Sequence, residues 1–320
     1  MMMTNPLPLD AVKKQIAEAH SISILSHLNP DADTLGTALG IYALLTEDKS
    51  KRVEVVNASN ALPLYLDFLP NYKKIKPKMD YSDSLIISCD CGSVDRLGFD
   101  VEGREILNID HHQSNAGYGS VNVIIPSYAS ASQVAYALFD GLYEVGVAAA
   151  TCFYAALLSD TRYFTTSSVN VEVFTVAKAL VEKGADPEKV AYHFTQRRSL
   201  ASLRILERAL SSLSLHYEAK VASLMVSQDD ILASGAKVAD MEGIVDYARA
   251  LSTVEVAVFV MDLGHELRVS LRSKTADVSK VAMEYGGGGH KVATGFTLKQ
   301  CGLQETMDKI LKSINNIGLV

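Results

Sequence analysis

Cysteine is scarce in this chain of 320 residues: there are four, Cys89, Cys91, Cys152 and Cys301. Cys89 and Cys91 stand two apart, and no second CxxC completes a thiolate zinc site. All four read as reduced thiols of a cytoplasmic protein. Long apolar runs are also missing. The longest, 146–158, is too short and too mixed to cross a bilayer, so no membrane association is expected. The opening MMMTNPLPLD has no basic stretch followed by an apolar one, so no secretory leader is expected. Positive charge is thin: 30 Lys and Arg stand against 37 Asp and Glu, a net charge of −7. No basic run extends beyond Lys73-Lys74 and Arg197-Arg198. A protein that grips long nucleic acid shows a strongly basic face. A polyanionic ligand here should therefore be short and held in a cleft, with metal ions supplying much of the positive charge. There is no internal repeat and no low-complexity tract. No protein partner is evident, and the chain is expected to be a monomer or a homodimer.

What the chain does have is apolar content for a proper core, 48% hydrophobic against 21% charged residues. Residues 9–19 have helical spacing and lead into a buried strand at 21–26. His27-Leu28-Asn29-Pro30-Asp31-Ala32-Asp33 follows as a loop, in which Pro30 is expected to keep Asn29 extended. Asp33 or Thr34 then caps a helix running to Leu45. Further strands read at 53–56, at 85–89 ending in Asp90, and at 106–109 ending in Asp110-His111-His112. Helices are expected at 130–143, 147–159 (delivering Asp160-Thr161), 175–183 (closed by Gly184) and from Asp186-Pro187 onward. Strands alternating with helices imply an α/β fold with a parallel sheet flanked by helices. In such sheets ligands sit beyond the carboxyl ends of the strands. His27, Asp31, Asp33, Asp90, His111 and His112 all fall there. A helix over 199–213 reads as a connector. Beyond it, strands at 220–227, 254–262, 266–271 and near 295, with a helix near 241–250, form a smaller α/β unit. We therefore expect a catalytic, metal-binding domain over 1–195, a connecting helix over 196–215 and a second domain over 216–320, with a cleft between the two.

Acids and imidazoles at the end of an apolar strand are costly to desolvate unless something satisfies them, and a divalent metal does so for both. An Asp-His-His in a polar loop is the plainer alternative for 110–112 alone. A capped β-to-α turn explains one Asp near residue 31, but not His27 with two acids. Asp160 sits at the unfavourable end of a helix dipole and needs a cation. Four acids with two or three histidines can hold two divalent ions, and mixed His and carboxylate donors suit Mn²⁺, Mg²⁺, Fe²⁺ or Co²⁺. The natural reaction of such a pair is phosphoester hydrolysis by a metal-activated hydroxide. The run 286–289 is not a Walker loop, since His290 precedes Lys291. It either lets backbone approach a phosphate or base closely or is simply a flexible turn. Arg268 and Arg272 share a strand face, as an anion clamp or as a solvated face.

Together these residues resemble a known family. His27 to Asp33, Asp90, Asp110-His111-His112 and Asp160-Thr161 match in order and spacing the four motifs of the DHH phosphoesterases. Gly286 to His290 with Arg272-Ser273 resembles their DHHA1 C-terminal domain. The subgroup most similar is the nanoRNase/pAp-phosphatase (NrnA-type) proteins. The resemblance implies one metal on His27, Asp31 and Asp90 and a second on Asp33, Asp90, His111 and Asp160, with Asp90 bridging and manganese as the metal. It implies that Asp110 orients a histidine, and that His112 meets the scissile phosphate and protonates the leaving oxygen. Arg272, Ser273, Gly288, Gly289 and His290, with help from Asn115, would bind the nucleotide. Implied substrates are very short single-stranded RNA or DNA, including dinucleotides such as pApA and pGpG, and 3′-phosphoadenosine 5′-phosphate (pAp). Products would be 5′-mononucleotides and AMP. Two departures stand out: Arg162 where the family often has Gly, and Gln133 where it often has an acid. Three other functions remain to be separated: a RecJ-like exonuclease on long single strands, a family II inorganic pyrophosphatase, and a nucleotide- or RNA-binding module without catalysis.

Overall fold

The computed structural model describes residues 7–299 and 302–318. Contacts divide the chain into two compact units, Met1–Arg197 and Arg198–Val320. In the first, helix α1 (Leu9–Glu18) leads to strand β1 (Ser21–Ser26), helix α2 (Ala32–Leu45) and strand β2 (Arg52–Val56). Four strands follow: β3 (Ile75–Lys76), β4 (Leu85–Cys89), β5 (Ile106–Asp110) and β6 (Val121–Ile124). Then come α3 (Ala131–Phe139), α4 (Val147–Asp160), α5 (Val171–Glu182) and α6 (Pro187–Thr195). The sheet order is β3-β2-β1-β4-β5-β6, and every pair is parallel. The order reverses between β1 and β4, which opens a crevice at their carboxyl ends. β1, β4 and β5 are buried along their whole length. That burial suits the apolar run of β4, and the polar residues buried in β1 and β5 find partners inside: Ser23 Oγ donates to Glu54 Oε1 at 2.7 Å, and Asn108 Oδ1 accepts from Ser88 Oγ at 3.3 Å.

Helices α2 and α4 lie unusually close. A Cβ on Gly36 would meet the Cys152 carbonyl oxygen at 2.7 Å, and one on Gly40 would meet the Phe153 ring at 2.3 Å. The missing side chains let the start of α2, with Asp33, approach the end of α4, with Asp160.

The loop after β1 differs from expectation in two ways. Asn29 is left-handed, with φ 53°, and not extended; asparagine tolerates that region, and its N–H donates to Ser59 Oγ at 2.9 Å. The residue capping α2 is Asp31 and not Asp33 or Thr34: its carboxylate accepts from the N–H groups of Asp33 and Thr34. Helix α3 is shorter than expected, and α5 starts earlier, at Val171 behind an Asn170 cap. Strands β3 and β6 carry too few residues to show a period.

The second unit begins with α7 (Leu200–Ser211), β7 (Ser214–His216), β8 (Val221–Val226), α8 (Gln228–Ser234) and α9 (Ile244–Arg249). It continues with β9 (Val256–Asp262), β10 (Glu266–Ser273), α10 (Ser279–Glu284), β11 (Gly288–His290), β12 (Ala293–Lys299) and α11 (Leu303–Asn316). Its sheet runs β11-β12-β10-β9-β8-β7 and is mixed, with only β8 and β9 parallel. Ile205 and Ala209 of α7 pack into this unit's core. Arg268 and Arg272 do share the more open face of β10, where burial alternates residue by residue. The glycine run is half turn and half strand, since β11 pairs with β12. Cys89, Cys91 and Cys152 are free and buried; Cys301 lies outside the described residues. Among the described residues no helix is long and apolar enough to cross a membrane.

Candidate metal centre

Each expected donor of the first unit stands at a carboxyl end of β1, β4 or β5, or at a helix terminus. His27 follows β1 and is buried. Its Nδ1 lies 2.8 Å from the Leu28 carbonyl oxygen. A carbonyl only accepts, so Nδ1 carries a hydrogen in this contact, and Nε2 is the ring nitrogen turned toward the acids. Nε2 faces Asp90 Oδ2 at 3.6 Å and Asp31 Oδ2 at 3.9 Å. Asp31 divides its labour, with Oδ1 capping α2 and Oδ2 turned to His27.

Asp33, in the first turn of α2, is buried against the start of α3. Its Oδ2 accepts from Ala131 N at 2.7 Å and its Oδ1 from Ser132 N at 3.2 Å. A helix N-terminus favours such a carboxylate. Sequence reading missed this support; the Ser130 cap at the head of α3 was the available signal. Gln133 is buried and accepts from the Ala129 N–H at 2.8 Å, so it braces the same turn. His111 Nδ1 lies 3.2 Å from the Tyr128 carbonyl oxygen. Its Nε2 points at Asp33 Oδ2 (3.8 Å), Asp90 Oδ1 (3.5 Å) and Asp160 Oδ2 (3.6 Å).

Asp90 lies between these groups. Its backbone is left-handed, with φ 54°, an uncommon conformation of the kind that collects at functional sites. Its Oδ2 faces His27. Its Oδ1 is buried, faces His111 and His112, each at 3.5 Å, and has no hydrogen-bond partner. Three donor groups, each with its ligand atoms within 4.8 Å of one another, result: His27, Asp31, Asp90; Asp33, His111, Asp160; and Asp90, His111, His112.

Charge in the cluster is strongly perturbed. Burial raises the Asp33 carboxyl well above its usual range, and Asp90 and Asp160 raise it further. Burial also pushes Asp160 up, to about 7, with Asp90 adding to the shift and His111 opposing it. Burial raises Asp90 too, but His111 and His27 outweigh it and hold Asp90 far below the ordinary carboxylate range. For His111 burial disfavours the cation, yet Asp90, Asp33 and Asp160 overcome it and lift the ring to about 11. So many acids in so little water need positive charge. A buried acceptor with no hydrogen, amid carboxylate and imidazole donors, fits divalent cations in chemical type, and a cation there would take the place of the proton that the acids hold on His111.

Asp110 is fully buried. Its Oδ1 accepts from His111 N (2.7 Å) and His112 N (3.2 Å) and lies 2.7 Å from His112 Nδ1. Asn115 donates to Asp110 Oδ2 at 2.6 Å. Arg96, which sequence reading also missed, brings its guanidinium to 3.3 Å from His27 Nδ1, and its carbonyl accepts from Leu28 N. Arg162 takes a left-handed backbone, φ 46°, at the position where glycine was the expectation.

The residues singled out in the second unit sit around β10 and the β11–β12 hairpin. Arg272 Nη1 donates to the Leu271 carbonyl at 2.9 Å. Ser273 is buried and donates to the Ala276 carbonyl. Gly288, Gly289 and His290 form the exposed edge strand β11. A Cβ on Gly289 would strike the Ala293 carbonyl oxygen at 2.7 Å, whereas one on Gly288 would meet nothing within 4 Å.

Comparison with known proteins agrees with this architecture. The N-terminal domain of the DHH family matches residues 21–159. The DHHA1 domain matches residues 218–317. The chain is 28% identical over 298 residues to the bifunctional oligoribonuclease and PAP phosphatase NrnA of Thermus thermophilus, spanning 92% of this chain and 89% of that protein. An exopolyphosphatase-related protein of Bacteroides fragilis shares the fold at a TM-score of 0.87, with 24% identity over 95% of this chain and 94% of that one. RecJ of Thermus thermophilus, solved in complex with Mn²⁺, gives a TM-score of 0.58 at 16% identity, covering 98% of this chain and 55% of RecJ. With its paired donor groups at the strand ends and both domains matched in order, the chain belongs to the DHH family, its DHH domain followed by a DHHA1 domain.

Proposed function

We propose that the protein is a manganese-dependent phosphoesterase that hydrolyses very short RNA to 5′-mononucleotides and pAp to AMP. The observation that carries the reading is the sharing of Asp90 between two donor groups, one through each carboxylate oxygen. One ion would be held by His27, Asp31 and Asp90, the other by Asp33, Asp90, His111 and Asp160. When bound, such a pair supplies a nucleophilic water at neutral pH and offsets charge on the phosphoryl oxygens. His112, aimed by Asp110, meets the scissile phosphate and gives a proton to the leaving oxygen as its bond to phosphorus breaks. Arg272, Ser273, Gly288, Gly289 and His290 are the proposed nucleotide-holding set. Metal chemistry is assigned to 1–195, the link to 196–215 and nucleotide recognition to 216–320. The NrnA relatives support the substrate class, and manganese in RecJ supports the metal. The net charge of −7 favours short substrates over long ones.

The test is a substrate panel with Mn²⁺: pAp, pApA, pGpG, RNA and DNA of graded length, and pyrophosphate. The reading expects turnover of pAp and dinucleotides and a steep fall with length. Long single-stranded DNA cut as fast as a dinucleotide would favour a RecJ-like exonuclease. Release of phosphate from pyrophosphate alone would favour a pyrophosphatase. Asp90→Ala should abolish turnover and Mn²⁺ binding by calorimetry, since one side chain serves both ions; full activity in that variant overturns the bridging role.

A further inference from the structure

Asn115 has no hydrogen-bonding capacity left for a substrate. A primary amide offers two donors and two acceptor lone pairs. The Asn115 Nδ2 donates to Asp110 Oδ2 at 2.6 Å and to the Cys91 carbonyl at 3.1 Å. Its Oδ1 accepts from Asn108 Nδ2 at 3.1 Å and from Gly117 N at 2.9 Å. Asn108 is itself fully buried in the middle of β5. Its Nδ2 is shared between Asn115 and Asn122, and its Oδ1 accepts from Ser88 Oγ on β4 at 3.3 Å. An apolar residue would fill that position without the roughly 1–3 kcal/mol cost that any unmet buried polar group carries. What the asparagine adds is direction. The string leads from the sheet interior through Asn115 to one oxygen of Asp110, whose other oxygen holds the His112 ring at 2.7 Å. A carboxylate turns easily about its last torsion, so a partner on Oδ2 fixes the lone pair that Oδ1 presents.

We propose that Asn115 is a positioning residue and does not contact substrate, and that Asn108 acts through it, the pair locking Asp110 so that His112 points at the reacting phosphate. The inference rests on the role given to His112 above. It places the determinant of a catalytic side chain's orientation in the buried face of the sheet.

The experiment compares Asn108→Ala, Asn115→Ala and the double variant with wild type, on pAp with Mn²⁺. Each single variant should lower kcat, Asn115→Ala by about 10- to 100-fold, with KM unchanged. The double variant should be no worse than Asn115→Ala alone, because the two act in series. Asn108→Thr suits a strand, keeps one donor, and should fall between wild type and Asn108→Ala. A rise in KM at constant kcat for Asn115→Ala, or losses that multiply in the double variant, overturns the proposal. A second readout needs no turnover: ring ¹⁵N resonances of His112 in the metal-free protein. Wild type should show one protonated Nδ1 environment, and Asn115→Ala should broaden or split it; an unaltered ring signal refutes the string. If wild type hydrolyses neither pAp nor dinucleotides, the functional reading falls, and the ring resonances still decide this one.

Discussion

Asp110 shows how one buried carboxylate is shared out. Three hydrogen-bond contacts reach Oδ1 and one reaches Oδ2. Burial raises its pKa, but His112 and Asn115 outweigh this and hold it low, so it remains an anion. Asp110→Asn keeps the shape and removes the charge. It should cost about 10- to 100-fold in kcat, as changes to groups that orient active side chains do, with Mn²⁺ affinity little altered; calorimetry and steady-state kinetics check both. Gly288 offers a cleaner test of substrate approach. A Cβ there meets nothing within 4 Å, so Gly288→Ala should leave the melting temperature unchanged. If backbone at this strand edge lies against a nucleotide, the same variant raises KM for pAp. Unchanged KM removes Gly288 from the proposed site. The proposed metal donors were legible in the sequence because the chemistry is written in residue type: His27, Asp31, Asp90 and His111 have few other reasons to gather just past the ends of buried strands, nor Asp33 and Asp160 at the helix termini beside them. The role of Asn115 was not legible. It depends on which way an amide faces, and only the fold brings Asn108, seven residues earlier, under it.

At the scale of elements, the centre depends on how closely α2 and α4 pack. Gly36 and Gly40 are helical glycines, where alanine would ordinarily stabilise by about 0.8–1 kcal/mol through propensity. Here the sign should reverse. A Cβ at Gly40 would fall 2.3 Å from the Phe153 ring, and one at Gly36 would press on backbone, 2.7 Å from the Cys152 oxygen. Overpacking of this kind costs about 1–3 kcal/mol. We expect Gly36→Ala to lower the melting temperature and, by pushing Asp33 away from Asp160, to weaken Mn²⁺ binding. Gly40→Ala, a turn further along α2 from the metal end, should lose stability with less loss of affinity. Equal stability in both variants and wild type would show that the helices can separate at no cost. This close approach explains why part of the fold escaped the sequence. Periodicity marks helices, but the reason for two glycines in α2 lies in α4. Short edge strands such as β3 and β6 carry too few residues to show a period, and the cap of α2 fell to Asp31 because one carboxylate both caps and faces His27.

At the scale of the whole molecule, every proposed metal ligand, from His27 to Asp160, lies in the first unit, Met1–Arg197. The second unit has its own cores, built around the β8–β10 sheet. A ligand that binds only the folded form of one unit stabilises that unit by RT ln(1 + [L]/Kd), about 2.7 kcal/mol at a hundredfold excess over Kd. For a unit of this size, each kcal/mol moves the midpoint by about 2–4 °C. Calorimetry with and without Mn²⁺ should therefore show a metal-dependent transition, raised by roughly 5–10 °C, that belongs to the first unit. Limited proteolysis at the chelated midpoint, followed by mass spectrometry, should recover fragments of 198–320 in preference to those of 1–197. In Asp90→Ala the metal shift should vanish, while cleavage of the second unit stays as in wild type. A Mn²⁺ shift of equal size in both units would mean that the metal's free energy reaches the DHHA1 domain as well, and that the two unfold as one.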